Sequence, residues 1–281
     1  MISVVIPPYA EPVNLSEMKN HVKGDIDVTV DDALLTSLIT SARDAVETAT
    51  GANTYRCNVI LASTFDLFLH CFPWWDPLTS SPYAYIALPR VPLVSVTSIT
   101  YVDTAGATQT MAASLYTVDT ARGRIYLAYN ESWPSTRNQP NAVTVRFIAG
   151  MAASFTADAS TDILTIQGRS FTTGDRVRVM NSGGALPTGL AATTDYFVIA
   201  GPKLSLTSGG SAVNITGAGS GTHFIASGPG DIAALEQWRT AIKMRATQFY
   251  RNRGDGAGGM NTADQNATER LIDSCIASIH A

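Results

Sequence analysis

The residues that could carry out chemistry are few and widely spaced in this chain of 281 residues. The four histidines are His21, His70, His223 and His280, and none has a second metal-ligating residue at the spacing of a metal site. His70 follows Asp66 by four positions, but one such acid–base pair is expected by chance in a chain of this length. We therefore interpret the histidines as ordinary surface or half-buried residues.

Motifs for a nucleophile or for phosphate binding are also missing from the sequence. It contains no GxSxG, HExxH or GxxxxGK[ST] pattern. The glycine-rich stretch 254–259 follows no strand-like segment and precedes no Lys-Ser or Lys-Thr pair, so it does not match a phosphate-binding loop. The sequence therefore predicts a protein that is not an enzyme and that uses no cofactor and no metal.

The composition favours a globular protein whose surface is partly covered by other subunits. Charged residues make up 15% of the chain, against about 25% in an average protein. The net charge of −4 argues against a general nucleic-acid binder, which needs a basic face to release counterions. An odd cysteine count, no secretory signal and no apolar run of about 20 residues predict a protein made in the cytoplasm, without a membrane span.

The N-terminal region predicts two helices. Asn14 or Ser16 is a suitable N-cap for the first, and Glu17 can reach back to an Asn14 cap. The second begins at Asp31-Asp32 and ends before Gly51, a suitable C′ residue. Its predicted apolar face consists of Leu34, Leu35, Leu38, Ile39, Ala42, Ala45, Val46 and Ala49.

The segment 53–72 fits either two strands bent near Ser63 or a strand followed by a short helix, and imperfect alternation favours two strands. The loop that follows contains Trp74 and Trp75. Two adjacent tryptophans in a loop form either a plug over the core or an interface anchor.

The stretch from Leu88 to Gly150 predicts a small antiparallel sheet. Strand-like runs cover 94–102, 115–118, 124–129 and 142–148, and a hairpin turn is expected at 103–106. In the last run Val143, Val145 and Phe147 alternate with more polar residues, as in a strand with two distinct faces.

The composition changes from Ala153 to Gly228, where charge is low and Thr, Ser, Gly and Ala dominate. Short strand candidates recur at 163–166, 176–179, 196–199, 204–206, 213–215 and 224–225. Closely spaced short strands predict an all-β barrel or sandwich. Because a helical pattern resumes behind it, we interpret this stretch as a domain inserted into a loop of the first one.

The C-terminal region predicts a long helix, a glycine hinge and a second helix. One side of the helix 231–253 is basic, which fits either a solvated surface or contact with an acidic partner or DNA; its residues are Arg239, Lys243, Arg245, Arg251 and Arg253. After the hinge 254–259, an amphipathic segment presents Ala267, Leu271, Ile272, Cys275 and Ile279. An amphipathic helix on a flexible tether is typically docked on a partner.

The motifs occur in an order that resembles a known family. The chain contains P-V-x-L-x-E-x-K from Pro12, then L-P-R-x-P-x-x-S-V-x-S-I-x-Y-x-D from Leu88, and then S-W-P-S-T-R-x-Q-P-N-A-V-x-V-x-F-x-A-G from Ser132. W-R and F-Y-R-N-R follow in the closing helix. This order resembles the head–tail connector (adaptor) family of long-tailed double-stranded-DNA bacteriophages and related gene-transfer particles, over about residues 10–150 and 229–253.

The resemblance implies a virion protein of the neck, between the capsid portal vertex and the tail. Family members form rings of about twelve copies under the portal, extend the DNA channel without specific contacts to the DNA, and present a surface to a stopper, another head-completion protein or the tail. The C-terminal part usually engages the portal, so the implied docking residues are the five of the tail segment. We expect Trp74, Trp75 and the five basic residues of helix 231–253 to contribute to the ring or partner interface.

The expected fold is therefore α+β in four parts. A connector core of two helices and an antiparallel sheet spans 1–152, an inserted all-β domain spans 153–228, the closing helix of the core spans 229–253, and a hinge with a docking helix spans 254–281. The inserted domain departs from the family pattern. Other virion roles remain open: stopper, tail terminator or capsid decoration protein. A carbohydrate-binding or hydrolytic module is disfavoured, because its site would need clustered carboxylates or exposed aromatics. The stretch offers only Asp158, Asp162, Asp175 and Asp195 as acids, and Tyr196 with scattered phenylalanines as aromatics.

Overall fold

The computed structural model describes residues 1–22, 29–51, 56–73, 85–251 and 270–271. Its α-helices are α1 (Leu15–Val22), α2 (Asp32–Ala49) and α3 (Gly228–Arg251). Its strands are β1 (Ile2–Ile6), β2 (Cys57–Asn58), β3 (Ser63–Leu69), β4 (Ile86–Ala87), β5 (Arg90–Val91), β6 (Leu93–Val102), β7 (Thr108–Thr110), β8 (Tyr116–Asp119), β9 (Arg124–Leu127), β10 (Val143–Ala149), β11 (Ala152–Ala157), β12 (Leu164–Ile166), β13 (Arg176–Ser182), β14 (Tyr196–Ile199), β15 (Lys203–Ser205) and β16 (Thr222–Ser227). The mixed α+β class is confirmed.

The chain forms two compact units, and both are discontinuous in sequence. The sheet unit comprises Met1–Pro8 and Ala62–Gly150, and the helix–sheet unit comprises Tyr9–Leu61 and Met151–Ala281. Residues 151–227 thus belong to the same unit as the helices. The division into four parts, with boundaries at 152, 228 and 253, stays a prediction.

The sheet unit contains a five-stranded antiparallel sheet in the order β1-β3-β10-β6-β7. The predicted alternation of β10 is confirmed, because Val143, Val145 and Phe147 are fully buried. Phe147 lies opposite Phe65 of β3, and their rings stack with centroids 5.6 Å apart. The core of this unit therefore lies on the Phe147 side of the sheet.

The predicted single sheet in this unit was too simple. The strands β8 and β9 pair with each other, and β9 also pairs with β4, in a separate three-stranded sheet of order β4-β9-β8. The tight turn before Arg124 folds β9 directly back on β8, and the other side of β9 pairs with β4 instead of with a strand of the larger sheet. The predicted hairpin at 103–106 is confirmed: Asp103 Oδ1 accepts the N–H groups of Ala105 and Ala107, and Gly106 has φ +93°.

The helix–sheet unit contains a six-stranded antiparallel sheet in the order β12-β11-β16-β13-β14-β15. The N–H of Leu164 at one edge donates to the carbonyl of Pro202 next to the other edge, at 3.0 Å, so the sheet curls almost into a barrel. The run 213–215 is not a strand as predicted. Val213 still donates its N–H to Leu204 of β15 at 2.7 Å, but Ile215 donates its N–H to Asp162 Oδ1, so the pairing does not continue as a ladder. Strands β1, β4, β5, β7 and β11 were not predicted.

The core of this unit is shared by the helices and the curled sheet. Trp238 of α3 is fully buried in the same cluster as Leu35 and Ile39 of α2 and Phe224 of β16. The predicted apolar face of α2 is confirmed at Leu35, Ile39, Ala42 and Val46, whereas Ala49 is exposed. The curled sheet is therefore a packing partner of α3.

Two of the predicted helix-start features are settled by hydrogen bonds. Asn14 is the N-cap of α1, because its Oδ1 accepts the N–H of Glu17 at 2.9 Å. Asp31 precedes α2 but makes no cap hydrogen bond with its side chain; it accepts a hydrogen bond from the hydroxyl of Tyr250 in α3 at 2.6 Å. Lys19 of α1 pairs with Asp32 at 2.9 Å. These contacts hold the three helices together.

Candidate assembly surface

Helix α3 carries most of the predicted interface residues, and its apolar face fixes where they point. Trp238 and Ile242 are fully buried, while Arg251 is exposed and Lys243 is half-buried. Residues on one side of a helix recur every three or four positions, so burying the Trp238–Ile242 side forces other positions outward. The basic residues are nevertheless not all on the outer side.

Arg239 is buried, contrary to its expected position on an exposed basic face. Its Nε donates to the backbone carbonyl of Pro12 at 2.9 Å, its Nη1 donates to Glu236 at 2.8 Å, and its Nη2 bonds to Glu17. A planar guanidinium with several donors suits such a site, because it can satisfy a carbonyl and two carboxylates at once. Arg239 thus ties α3 to the start of α1.

Glu17 is the centre of this network. Its second carboxylate oxygen accepts a hydrogen bond from the hydroxyl of Ser182 in β13 at 2.6 Å, and that hydroxyl accepts the N–H of Asn14 at 3.3 Å. Burial alone raises the pKa of Glu17. The hydrogen bonds from Arg239 and Ser182 and the charges of Arg239 and Lys243 outweigh that effect and lower the pKa. The carboxylate is therefore ionised at neutral pH.

An outward-facing basic patch is formed by His21, Lys243 and Arg251. Burial, followed by the positive charges of Lys243 and Arg251, lowers the pKa of His21. The effect on His21 indicates that the two cations lie near it, although they come from a different helix. At neutral pH the patch presents two cations and one neutral imidazole, and the carboxylate of Glu17 already lies near Lys243. The exposed Arg251 is the cation best placed to bind a further carboxylate or phosphate. His21 was not among the predicted interface residues.

The other predicted interface residues are not part of this patch. Arg245 packs over the ring of Phe249, with its guanidinium carbon 5.1 Å from the ring centroid, and donates to Gln248 at 3.2 Å. Trp74, Trp75 and Arg253 lie outside the described residues. Of the predicted basic residues, the structure brings Lys243 and Arg251 together with His21, and it uses Arg239 and Arg245 in contacts within the chain.

The predicted docking segment is represented in the structure by Leu271. This side chain is half-buried and packs against the core of the helix–sheet unit. Ala267, Ile272, Cys275 and Ile279 lie outside the described residues. Their role as a docking face stays a prediction.

The histidine and acid positions weighed in the sequence give no acid–base pair in the structure. Asp66 forms a bidentate ion pair with Arg146, with N···O distances of 2.8 and 2.7 Å, so both oxygens of its carboxylate are engaged.

A cavity of about 390 Å³ in the helix–sheet unit is lined partly by Tyr9, Phe155 and His223. His223 accepts a hydrogen bond from Asn181 at 2.8 Å and donates one to the carbonyl of Ala218 at 3.1 Å, and burial lowers its pKa. The imidazole is neutral and both nitrogens are engaged.

Among the residues that the structure describes, no group of three or more His, Cys, Asp or Glu side chains is arranged to hold a metal ion. None of the described helices is long and apolar enough to cross a membrane.

No protein-family model matches the chain, and no curated protein matches it. Three solved structures are similar to it at low identity. One, the virion of the native gene transfer agent (GTA) particle, has 18% identity and a TM-score of 0.49. The neck of the native GTA particle computed with C12 symmetry has 19% identity and a TM-score of 0.48, and the neck of the empty GTA particle computed with C6 symmetry has 18% and 0.47. Each match covers 96% of this chain and 94% of the other.

Proposed function

We propose that this chain is a structural protein of the virion neck in a tailed-phage-like particle. In this proposal it is a head–tail adaptor that forms a ring of about twelve copies under the portal. The ring extends the DNA channel and offers an attachment surface to a stopper or to the tail. The protein carries out no catalysis in this role.

One observation carries the proposal: residues of the first and last family-like motifs meet in one network. Pro12 and Glu17 belong to the P-V-x-L-x-E-x-K motif, and Arg239 belongs to the W-R pair of the closing helix. Arg239 bonds to the carbonyl of Pro12 and to the carboxylate of Glu17. If the motifs reflect a shared fold, residues from different motifs should contact each other in space. Arg239 and Glu17 do so, although more than 200 positions separate them.

The two middle motifs support the same interpretation. The block that begins at Leu88 supplies β6, and the block that begins at Ser132 supplies β10. These strands are neighbours in the five-stranded sheet, with Val145 opposite Ile99 and both side chains fully buried. The motifs thus encode adjacent, buried parts of the sheet unit.

The basic patch is the surface that we propose for contact with an acidic neighbour. Lys243 and Arg251 are held on α3, a helix that is fixed by its buried face, so their charges are positioned before binding. A ring joins one face of each copy to a different face of the next. Contact with an acidic face of the portal or of the neighbouring copy would use these cations.

The test is electron microscopy of purified protein mixed with portal-bearing capsids. A ring at a single vertex supports the adaptor role, whereas protein spread over the whole capsid indicates a decoration protein, and binding only to tails indicates a tail terminator. The double variant Lys243→Glu/Arg251→Glu should lose vertex binding. Arg122→Glu is the matched control, because Arg122 is exposed in the sheet unit and its surface ion pair with Asp119 contributes little stability.

The docking segment needs a separate test. We propose that the face formed by Ala267, Leu271, Ile272, Cys275 and Ile279 engages the portal, and Ile279→Asp should then reduce the amount of head-bound protein. Leu271→Asp also disturbs packing within the chain, so its melting temperature must be measured beside its binding. Unchanged head binding by Ile279→Asp, with an unchanged melting temperature, would contradict the docking role.

A further inference from the structure

The edge strand β1 carries apolar side chains that the described part of the chain covers only in part. Val4 is 57% exposed and Ile6 is 43% exposed, and the strand Ile2–Ile6 contains no charged residue. Val4 lies opposite Phe65, so it extends the apolar face of the sheet beyond its buried part. Soluble proteins usually protect an edge strand with charge, proline, a bulge or a covering segment. In β1 the bulge between Val4 and Ile6 and the prolines after Ile6 leave Ile2 to Val4 as the unprotected part.

The backbone of β1 is also open to pairing. The N–H of Phe68 in β3 donates to the carbonyl of Met1 at 2.8 Å, which directs Met1 and Ser3 towards β3. In an antiparallel pair, hydrogen-bonded and outward-facing residues alternate. The backbone groups of Ile2 and Val4 therefore point away from the sheet, where they can bond to an added strand.

The opposite edge of the same sheet is β7, and it has complementary properties. Thr108, Gln109 and Thr110 are all exposed, and none is charged. The bonds from Met111 to Ile99 and from Asp103 to Ala107 direct the odd-numbered residues of this segment towards β6. The backbone groups of Thr108 and Thr110 are therefore the outward ones.

We infer that β1 of one copy pairs with β7 of a second copy, which joins the sheets of neighbouring copies edge to edge. Four antiparallel steps separate β1 from β7 in the sheet, so the two strands run in the same direction and would pair in parallel. The pairing removes apolar side chains from water and buries no charged side chain, since the side chains of β1 and β7 are all uncharged. It uses two different edges of each copy, which is the form of contact that a closed ring requires.

This inference rests on the proposed ring, and its test is the oligomeric state of the full chain in solution, measured by light scattering and negative-stain microscopy. Val4→Lys places a charge on the apolar edge, and Thr108→Pro removes an outward N–H that β6 does not use. Each should weaken self-association by about tenfold to a hundredfold, as expected from losing the burial of one valine or one strand contact. Val30→Lys makes the same change at a residue that is 88% exposed outside any strand, and it should associate like the wild type.

Each outcome supports or overturns β1–β7 pairing, provided that the melting temperatures of the variants match that of the wild type, which excludes unfolding as the cause. β1–β7 pairing would be overturned if Val4→Lys formed normal rings, or if the wild type remained monomeric at its highest soluble concentration. It would also be overturned by a dimer that is lost with Val4→Lys but not with Thr108→Pro. The last result would indicate two β1 strands paired about a twofold axis. Capsid-vertex binding is scored separately: solution rings that depend on Val4 but bind no vertex would refute the adaptor role and leave this interface standing.

Discussion

The hydroxyl of Ser182 donates a hydrogen bond to Glu17 at 2.6 Å, and the two residues are 165 positions apart. In a capping box the glutamate at this position would accept the N–H of the N-cap residue itself. Here the hydroxyl of Ser182 bridges the two residues: it accepts the N–H of Asn14 and donates to the carboxylate of Glu17. The start of α1 is thereby completed by a strand of the curled sheet.

Substitution of Gly183, which lies next to the Asn14 cap, should destabilise the protein. A Cβ atom at Gly183 would lie 1.3 Å from Asn14 Nδ2, and the residue has φ +71°. Gly183→Ala should lower the free energy of unfolding by about 2 kcal/mol, through backbone strain and loss of the Asn14 cap. Urea denaturation measures the effect. Gly174→Ala is the control, since Gly174 has φ +100° with open space around its Cβ position, and it should lose only about 1 kcal/mol.

Replacing Arg239 alone should lower the free energy of unfolding more than replacing Arg239 and Glu17 together. Arg239→Met leaves the carboxylate of Glu17 without its main partner and should lower the free energy of unfolding by about 3 kcal/mol. The double variant Glu17→Gln/Arg239→Met removes the stranded charge and should recover part of that loss. Chemical denaturation of the two single variants and the double variant gives the coupling. Additive losses would show that the two residues act independently.

Glu17 should also contribute to acid sensitivity. Its pKa in the folded protein is lowered, so the unfolded chain binds the proton more readily and stability is lost as pH falls. The contribution is complete above the ordinary glutamate pKa of about 4.3 and disappears as pH drops through the lower pKa of the folded state. Glu17→Gln should therefore flatten the dependence of the unfolding free energy on pH below about 4.3. An unchanged slope would contradict this role.

His223 should act in a higher pH range with the same sign. Burial lowers its pKa in the folded state, so the folded protein favours neutral imidazole and loses stability as pH falls below the ordinary histidine pKa of about 6.5. Protonation also breaks the bond from Asn181, because both groups would then be donors. Histidine NMR titration should give His223 a pKa below that ordinary value. In His223→Gln the stability difference between about pH 7.5 and pH 5.5 should shrink.

Excision of the curled sheet should destabilise the helices, although its ends lie close together. Ala152 pairs with Ala226, so a short linker could join residues 153 and 228. The same excision removes Phe224 and Met180 from the cluster around Trp238. Circular dichroism and tryptophan fluorescence of the shortened chain should show a loosened core. A cooperative melt at the wild-type temperature would instead mark the sheet as independent.

The parts of the fold that were predictable are those with strong local signals. The stripe of α2 follows from helical spacing, and the turn at Asp103 follows from its composition. Residue type narrows the cap of α1 to Asn14 or Ser16, and the hydrogen bond from Glu17 decides for Asn14. The burial of Arg239 was not predictable, because a basic residue next to Trp238 suggests an outer face unless its partners at Pro12 and Glu17 are known. Long-range partners of this kind leave no periodic trace in the sequence.

The missed strands and the missed patch residue have similar explanations. β1 is short and followed by two prolines, and its pairing with β3 brings together residues more than 50 positions apart. β11 lies directly after the turn at Gly150, where a change of composition suggested a domain boundary. His21 gains significance only through Lys243 and Arg251 of another helix. In each case the deciding contact is non-local.

The discontinuity of both units sets an order of events during synthesis on the ribosome. The sheet unit has all its residues once position 150 has emerged, whereas the helix–sheet unit must wait for α3, more than 170 residues after α2. Until then Leu35, Ile39 and Val46 of α2 lack the tryptophan that covers them. Such late, distant closure slows folding and exposes apolar surface in the nascent chain. Chaperone dependence during translation is the expected consequence.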